Sequence, residues 1–192
     1  MLAPLLGSAV AVLWVLLPTF VANALATLPK GRGPPLDFGR VLAHDGRRLF
    51  GPSKTVSGFL AGALLAMPVG LLEAWLILLA PPDLRIVPQF GATVLLAVPL
   101  VALLTFGGMT GDALGSFVKR RLGRESGSRT ILLDQLPFVL VPVLLGLVLF
   151  PAVFVPVFLR WEGILWLLVY TLGLHAAFNW VGYWVGLKKV PW

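Results

Sequence analysis

The chain reads as an all-α integral membrane protein: five transmembrane helices, N-terminus outside, C-terminus cytoplasmic, with two basic cytoplasmic loops. Three observations predict this. Apolar runs long enough to cross a bilayer recur along the 192 residues, which are 58% hydrophobic with a mean hydropathy of +0.95; about 20 such residues span the hydrocarbon. Only 12% of the residues are charged, about half the ~25% of an ordinary globular domain. The cations are also one-sided. With five spans, thirteen of the fifteen Lys and Arg fall on one face, and the positive-inside rule makes that face the cytoplasm.

Taken in order, span 1 covers about residues 3–27. It starts without a basic lead and lacks a clear small-residue cleavage site, so it reads as a retained span rather than a signal peptide. Asn23 and Thr27 are four apart on one face of its last turns. Two readings are open for them: hydrogen bonding between helices, or a face turned toward a polar site.

Residues 28–53 follow as a loop rich in Gly, Pro and charge, much longer than a connection needs. With Lys54 at its end, it carries Lys30, Arg32, Arg40, Arg47 and Arg48, with Asp37 and Asp45 among them. It reads as a phosphate-handling loop at a membrane surface. Gly51-Pro52-Ser53-Lys54-Thr55 is not a P-loop, because Pro52 stands where the Lys is required. Ser53 is the expected N-cap of span 2, and Lys54 adds a charge beside the free N–H groups of that helix start. Lys54 is either a phosphate ligand or an interfacial anchor.

Span 2 covers about 54–80. Gly58 and Gly62 form a small-xxx-small packing signal, and Pro68 predicts a kink. Glu73 is an acid inside the apolar run, with an interfacial or hydrogen-bonded structural role expected. Span 3 covers about 89–115. Gly107, Gly108, Gly111 and Asp112 lie in it, and predict irregular backbone lining a cavity. The second basic loop, 116–130, holds Lys119, Arg120, Arg121, Arg124 and Arg129. Span 4, about 131–158, opens with Asp134 and carries four prolines, so a bent helix is expected. Span 5 covers about 163–186, followed by Lys188 and Lys189. Trp161, Trp184 and Trp192 fall near predicted interfaces, as an aromatic belt would. The whole forms one domain, 1–192.

The composition excludes several classes. Without cysteine there is no disulfide, thiol catalysis or thiolate metal site. The net charge of +7 does not imply nucleic acid, since the cations cluster at the ends of apolar runs and suit topology and phosphate-bearing ligands. His44 lies in the basic loop. His175 and Asn179 share a face of span 5, where packing is commoner than ligation. No His, Asp or Glu spacing suggests zinc.

Three features converge on the cytoplasmic face. One is the long loop running into Lys54-Thr55. Another is Asp112-xxx-Ser116-xx-Lys119-Arg120, whose residues share a helical face. The third is Asp134. Carboxylate and hydroxyl oxygens suit Mg²⁺, which takes one or two carboxylates plus substrate phosphates.

The runs Asn23-xxx-Thr27-xx-Lys30-Gly31, Asp37-Phe38-Gly39 and Asp45-Gly46-Arg47-Arg48-Leu49-Phe50-Gly51-xx-Lys54-Thr55 resemble the CDP-archaeol synthase family. So do Gly111-Asp112-xxx-Ser116-Phe117-xx-Lys119-Arg120 and Asp134-Gln135-Leu136. The resemblance covers nearly the whole chain. More distantly, Ser116-xx-Lys119-Arg120 is similar to an element of bacterial and eukaryotic phosphatidate cytidylyltransferases. Their following Lys-Asp pair has no counterpart at Glu125-Ser126, and their His-Gly-Gly is missing.

The resemblance implies a multi-pass enzyme of the cell membrane, with its active site facing the cytoplasm. It would transfer CMP from CTP to the phosphate of an isoprenoid ether lipid. It further implies Mg²⁺ on Asp112 and Asp134, with Lys119 catalytic. Lys54, Thr55, Ser116 and Arg120 would hold phosphates, and Asn23, Lys30, Asp37, Asp45 and Gly46 would shape the substrate pocket. CTP, the lipid phosphate and membrane lipids are the partners expected, and nucleic acid is not. The rival classes are a small transporter or lipid-binding protein, and a lipid or polyprenol kinase.

Overall fold

The computed structural model describes residues 2–125 and 130–186. Ser126, Arg129, Lys188, Lys189 and Trp192 lie outside the described residues, as do the side chains of His175 and Asn179. The described chain is helical: α1 Leu2–Leu25, α2 Val56–Leu79, α3 Val94–Arg121, α4 Ile131–Gln135, α5 Pro137–Leu149, α6 Pro151–Phe158 and α7 Trp161–Trp184, with a 3₁₀ turn at Pro82–Leu84. No strand forms among the described residues.

α3 is the centre of the bundle, packing against α1, α2 and α5, while α1 also meets α7. Val12, Leu16 and Phe20 of α1, Leu100 and Leu104 of α3, and Phe138 of α5 form a core with almost no solvent contact. The outer surface is apolar too. Leu95, Leu144 and Val148 point away from the core and are 60–78% exposed. Apolar surface of this extent fits a bilayer as the surrounding medium. α1, α2 and α3 are each long and apolar enough to cross it.

Glycine lets α3 sit this close to its neighbours. A Cβ added at Gly111 would lie 2.1 Å from the Pro137 carbonyl oxygen, and one at Gly115 would lie 2.5 Å from that of Leu133. Gly107, one turn earlier, faces Pro142. The positions 107, 111 and 115 form one stripe on the helix, so α3 meets the α4–α5 segment backbone to backbone. α2 uses the same device, with Gly62 against the Ala22 carbonyl of α1. The expected irregular backbone at 107–112 is therefore absent: α3 is continuous, and its glycines serve packing.

Span 4 also differs from expectation. In place of one bent helix over 131–158, the chain breaks at Leu136 and at Phe150. Each break immediately precedes a proline that starts the next helix, Pro137 or Pro151. Before Pro151 the ring disfavours helical geometry, and Phe150 leaves it (φ −132°, ψ 53°); Leu136 keeps helical angles (φ −83°, ψ −43°), so the interruption there is milder and reflects the N–H that Pro137 lacks. α5 has 13 residues, and α6 meets the first part of α7 at 87°. α3, by contrast, runs past the expected end of span 3 to Arg121. Lys119, Arg120 and Arg121 in its last turn complement the negative pole of the helix.

The hydrogen bond expected for Glu73 does not form among the described residues. The residue is 4% exposed, and both carboxyl oxygens lack a partner among the described residues. It belongs to the buried face of α2 that includes Gly70 and Ala74.

Candidate active site

The long loop is an ordered hairpin closed at its base. Leu36 N–H donates to the Lys54 carbonyl (2.7 Å) and Val56 N–H to that of Pro34 (3.0 Å). Further out, Leu42 and Leu49 N–H donate to the carbonyls of Arg47 and Arg40. Residues 38–39 and 46 make turns with positive φ, which Gly39 (+80°) and Gly46 (+64°) adopt without strain.

Asp37 holds this hairpin together. Its side chain has no solvent exposure. Gly39 N–H donates to Oδ1 (3.0 Å), Phe50 and Gly51 N–H donate to Oδ2 (3.1 and 2.9 Å), and Arg48 grips both oxygens. Burial acts to raise the pKa of Asp37. The Arg48 guanidinium and the three N–H groups more than offset this, and hold the carboxyl below the usual carboxylate range. Every lone-pair direction is in use, so Asp37 builds the loop.

The hairpin tip is latched to the end of α3 by two arginines that bind each other's backbone. Arg47 Nη1 donates to the carbonyls of Arg120 (3.2 Å) and Arg121 (3.3 Å). Arg121 Nη2 donates to the carbonyls of Arg47 (3.2 Å) and Arg48 (2.6 Å), and its Nη1 pairs with Asp45 at 3.1 Å. Sequence reasoning missed this latch. Its only trace there was the charge density of the two loops.

Two further carboxylates are held differently. Asp112 Oδ2 pairs with Lys54 Nζ at 2.5 Å, joining the start of α2 to α3. Asp134 Oδ1 pairs with Lys119 Nζ, and its Oδ2 accepts from Thr130 N–H at 2.8 Å. The Asp112 and Asp134 side chains are 22% and 28% exposed. The structure thus places Lys54, Asp112, Lys119 and Asp134 in two ion pairs, each anchored on α3, with Ser116 buried on the same helix between Asp112 and Lys119.

The other expected residues fall elsewhere or take other roles. Thr55, not Ser53, caps α2: its Oγ1 accepts from Gly58 N–H at 3.1 Å, and the residue is buried. Asp45 and Gly46 form the hairpin tip, where Asp45 joins the latch through Arg121. Lys30 is exposed in the turn after α1, with φ of +52°. Thr27 Oγ1 donates back to the Ala24 carbonyl, and Asn23 is half-buried on α1. Arg120 is buried, with Nη2 donating to the Glu125 carbonyl at 2.8 Å.

The donor set passes a test for Mg²⁺. It offers oxygen ligands only, on two carboxylates that keep part of their surface open. No cluster of three or more His, Asp or Glu that could cage a metal occurs among the described residues. One or two carboxylates completed by substrate phosphates is how Mg²⁺ is commonly held.

Fold and site together define a membrane-embedded helical protein whose one charged end alternates Lys and Asp beside a cluster of arginines, as a phosphate-handling enzyme requires. Sequence relatives make the class specific. The CarS-like family, CDP-archaeol synthase, matches residues 5–192. The CDP-archaeol synthase of Methanopyrus kandleri is 40% identical, over 94% of this chain and 91% of its own. That of Picrophilus torridus is 34% identical, over 94% and 95%. A solved structure described as an intramembrane enzyme for archaeal membrane lipid biosynthesis is 36% identical, with a TM-score of 0.59, covering 82% of this chain and 89% of that one. The chain belongs to the CDP-archaeol synthase family.

Proposed function

We propose that this enzyme transfers CMP from CTP to the phosphate of 2,3-di-O-geranylgeranylglycerol 1-phosphate, forming CDP-archaeol and pyrophosphate. Membership of the family supports the reaction. The observation that carries the residue roles is the pair of partly exposed aspartates, each held by a single lysine.

The lipid phosphate is the nucleophile. A phosphate monoester with a second pKa near 6 is largely dianionic at neutral pH, so no general base is needed. One of its oxygens forms a bond to the α-phosphorus of CTP. The bond from that phosphorus to the bridging oxygen breaks, and the electron pair leaves with pyrophosphate. The obstacle is repulsion between two anions. Asp112 and Asp134 would hold Mg²⁺, with Ser116 beside them. When bound, Mg²⁺ supplies charge neutralisation at the phosphates and stabilises the departing group. Lys54 and Lys119 would exchange their carboxylates for phosphate oxygens. Until then, their ammonium groups hold both carboxylates in place. Arg120 would add a further phosphate contact.

The topology we propose has five crossings, made by α1, α2, α3, the α4–α5 pair and α7. The 19 residues of 131–149 reach about 28 Å at 1.5 Å per residue, close to the hydrocarbon thickness. The hairpin and the end of α3 would face the cytoplasm, where CTP is made, and the N-terminus would lie outside. The apolar chains of the lipid stay in the bilayer while its phosphate meets the charged end.

The test uses purified protein in detergent with α-labelled CTP. Label should enter the organic phase only when Mg²⁺ and the ether-lipid phosphate are both present. Label from γ-labelled ATP instead would indicate a kinase. Transfer from neither nucleotide would indicate a binding or transport protein.

A further inference from the structure

The base and the tip of the long hairpin stand at different heights. The base is tied to the start of α2: Leu36 N–H donates to the Lys54 carbonyl and Val56 N–H to that of Pro34. The Arg32 carbonyl accepts from Ser57 Oγ, in the first turn of the same helix. The tip is latched to the end of α3. With 28 residues α3 is about 42 Å long, against about 30 Å of hydrocarbon, so its end stands about 12 Å clear of the apolar layer.

Phe38 lies two residues beyond Leu36, at most about 7 Å along an extended chain. Each headgroup layer is about 5–8 Å deep, so Phe38 falls at that depth. Arg40 stays beside it, because its N–H donates to the Asp37 carbonyl at 2.8 Å. The side chains here suit lipid. Phe38 is 69% exposed. Its φ is +48°, a region where a bulky residue is strained and Gly or Asn is not. A large ring kept in a strained turn and left outside the core gains stability once something removes it from water. Arg32 and Arg40 are exposed, and neither side chain makes a hydrogen bond or ion pair among the described residues. Free cations flanking an aromatic ring are the pattern of an interfacial anchor.

We propose that the base of the hairpin is a membrane-surface anchor. Phe38 lies in the headgroup layer of the bilayer that α2 crosses, and Arg32 and Arg40 contact the phosphates of acidic lipids. The tip, lifted by its latch to α3, stays in water. The anchor fixes the height of the hairpin, and so keeps Lys54, whose carbonyl is bonded to Leu36, at the level of the lipid headgroups. The inference needs only that α2 and α3 cross the bilayer. It goes beyond the transfer reaction proposed above and does not depend on it.

The chain has no cysteine, so Phe38→Cys places a single spin label at the base, and His44→Cys places one at the exposed tip for comparison. Each full-length variant is reconstituted in lipid nanodiscs rich in phosphatidylglycerol. Collision rates are read with oxygen, which concentrates in the membrane, and with a nickel chelate, which stays in water. The oxygen-to-nickel ratio should be about fivefold higher at position 38 than at 44, as for a side chain sunk into the headgroup boundary. Adding Arg32→Gln and Arg40→Gln should lower the ratio at 38 by about half, because the attraction to acidic lipid is lost. A second readout needs no substitution and holds even where Phe38→Cys disturbs the turn. Hydroxyl-radical footprinting of the wild type in the same discs should find Phe38 protected and His44 oxidised. Equal ratios at the two positions, or a freely oxidised Phe38, would overturn the proposal. So would a label at 38 shielded from both collision partners, which would put protein in place of lipid on this surface. An unchanged ratio in the double arginine variant would overturn the role of the two cations.

Discussion

Asp37 in the hairpin and Asp112 on α3 are both aspartates paired with a cation, yet they are held in opposite ways. Asp37 is fully buried and accepts from Arg48 and three backbone N–H groups. Asp112 is 22% exposed and meets one flexible ammonium. Asp134 resembles Asp112, with one lysine and one N–H. The difference separates a carboxylate committed to the fold from one open to a ligand. A carboxylate with every lone pair in use cannot accept a ligand without unfolding its surroundings. One held by a lysine can exchange it.

The largest effect is expected at the two lysine-held aspartates. Asp112→Asn or Asp134→Asn should lower turnover at least about a thousandfold, since a metal's charge stabilisation is worth several kcal/mol. The thermal transition should move little. Next comes the packing that brings the two ion pairs together. Gly111→Ala forces a Cβ against the Pro137 carbonyl, an overpacking of about 1–3 kcal/mol. By shifting α5 it should reduce kcat by up to about a hundredfold, read alongside the melting temperature.

Asp37→Asn should show the reverse profile, with stability lost first. Breaking a buried, charge-assisted network costs about 2–3 kcal/mol when the partner, here Arg48, can still reach water. Protease sensitivity of the hairpin would report it. The pH dependence sharpens the same point. The folded-state pKa of Asp37 is depressed, so its stabilisation is complete above the ordinary carboxylate range near 4 and is lost as pH falls below it. Hydrogen exchange of residues 36–51 should therefore show the same opening equilibrium from pH 5 to 8, and greater opening only in strong acid. The smallest effect is expected for Asp45→Asn. Its pair with Arg121 is partly solvated, and such pairs contribute about 0.2–1 kcal/mol.

Much of this was legible in the sequence, for physical reasons. Apolar runs and a one-sided charge distribution suffice to predict a helical membrane protein. The helical spacing of Asp112, Ser116 and Lys119 predicted their shared face. Proline placement predicted a bend in the fourth span, but not that it would divide into a mild interruption at Leu136 and a full break at Phe150. That outcome depends on the conformation of Phe150, which leaves the helical region while Leu136 does not. The glycines of α3 were read as a source of irregular backbone. Small residues are equally suited to close helix contact, and only the neighbouring chain decides which applies. Asp37 carried the signs of a pocket residue, because a buried network of backbone donors has no sequence pattern. The Arg47–Arg121 latch was illegible for the same reason: its acceptors are carbonyl oxygens.

The central claim is that the two lysine-held aspartates, and not the buried one, serve the reaction. The most direct measurement is CMP transfer from labelled CTP by wild type, Asp112→Asn, Asp134→Asn and Asp37→Asn across a Mg²⁺ titration, each verified as folded by its melting curve. The account predicts that the first two variants keep the wild-type melt and lose turnover at every Mg²⁺ concentration. Asp37→Asn should melt earlier and keep its Mg²⁺ dependence below the melt. Near-normal turnover by a folded Asp112→Asn or Asp134→Asn protein would contradict it.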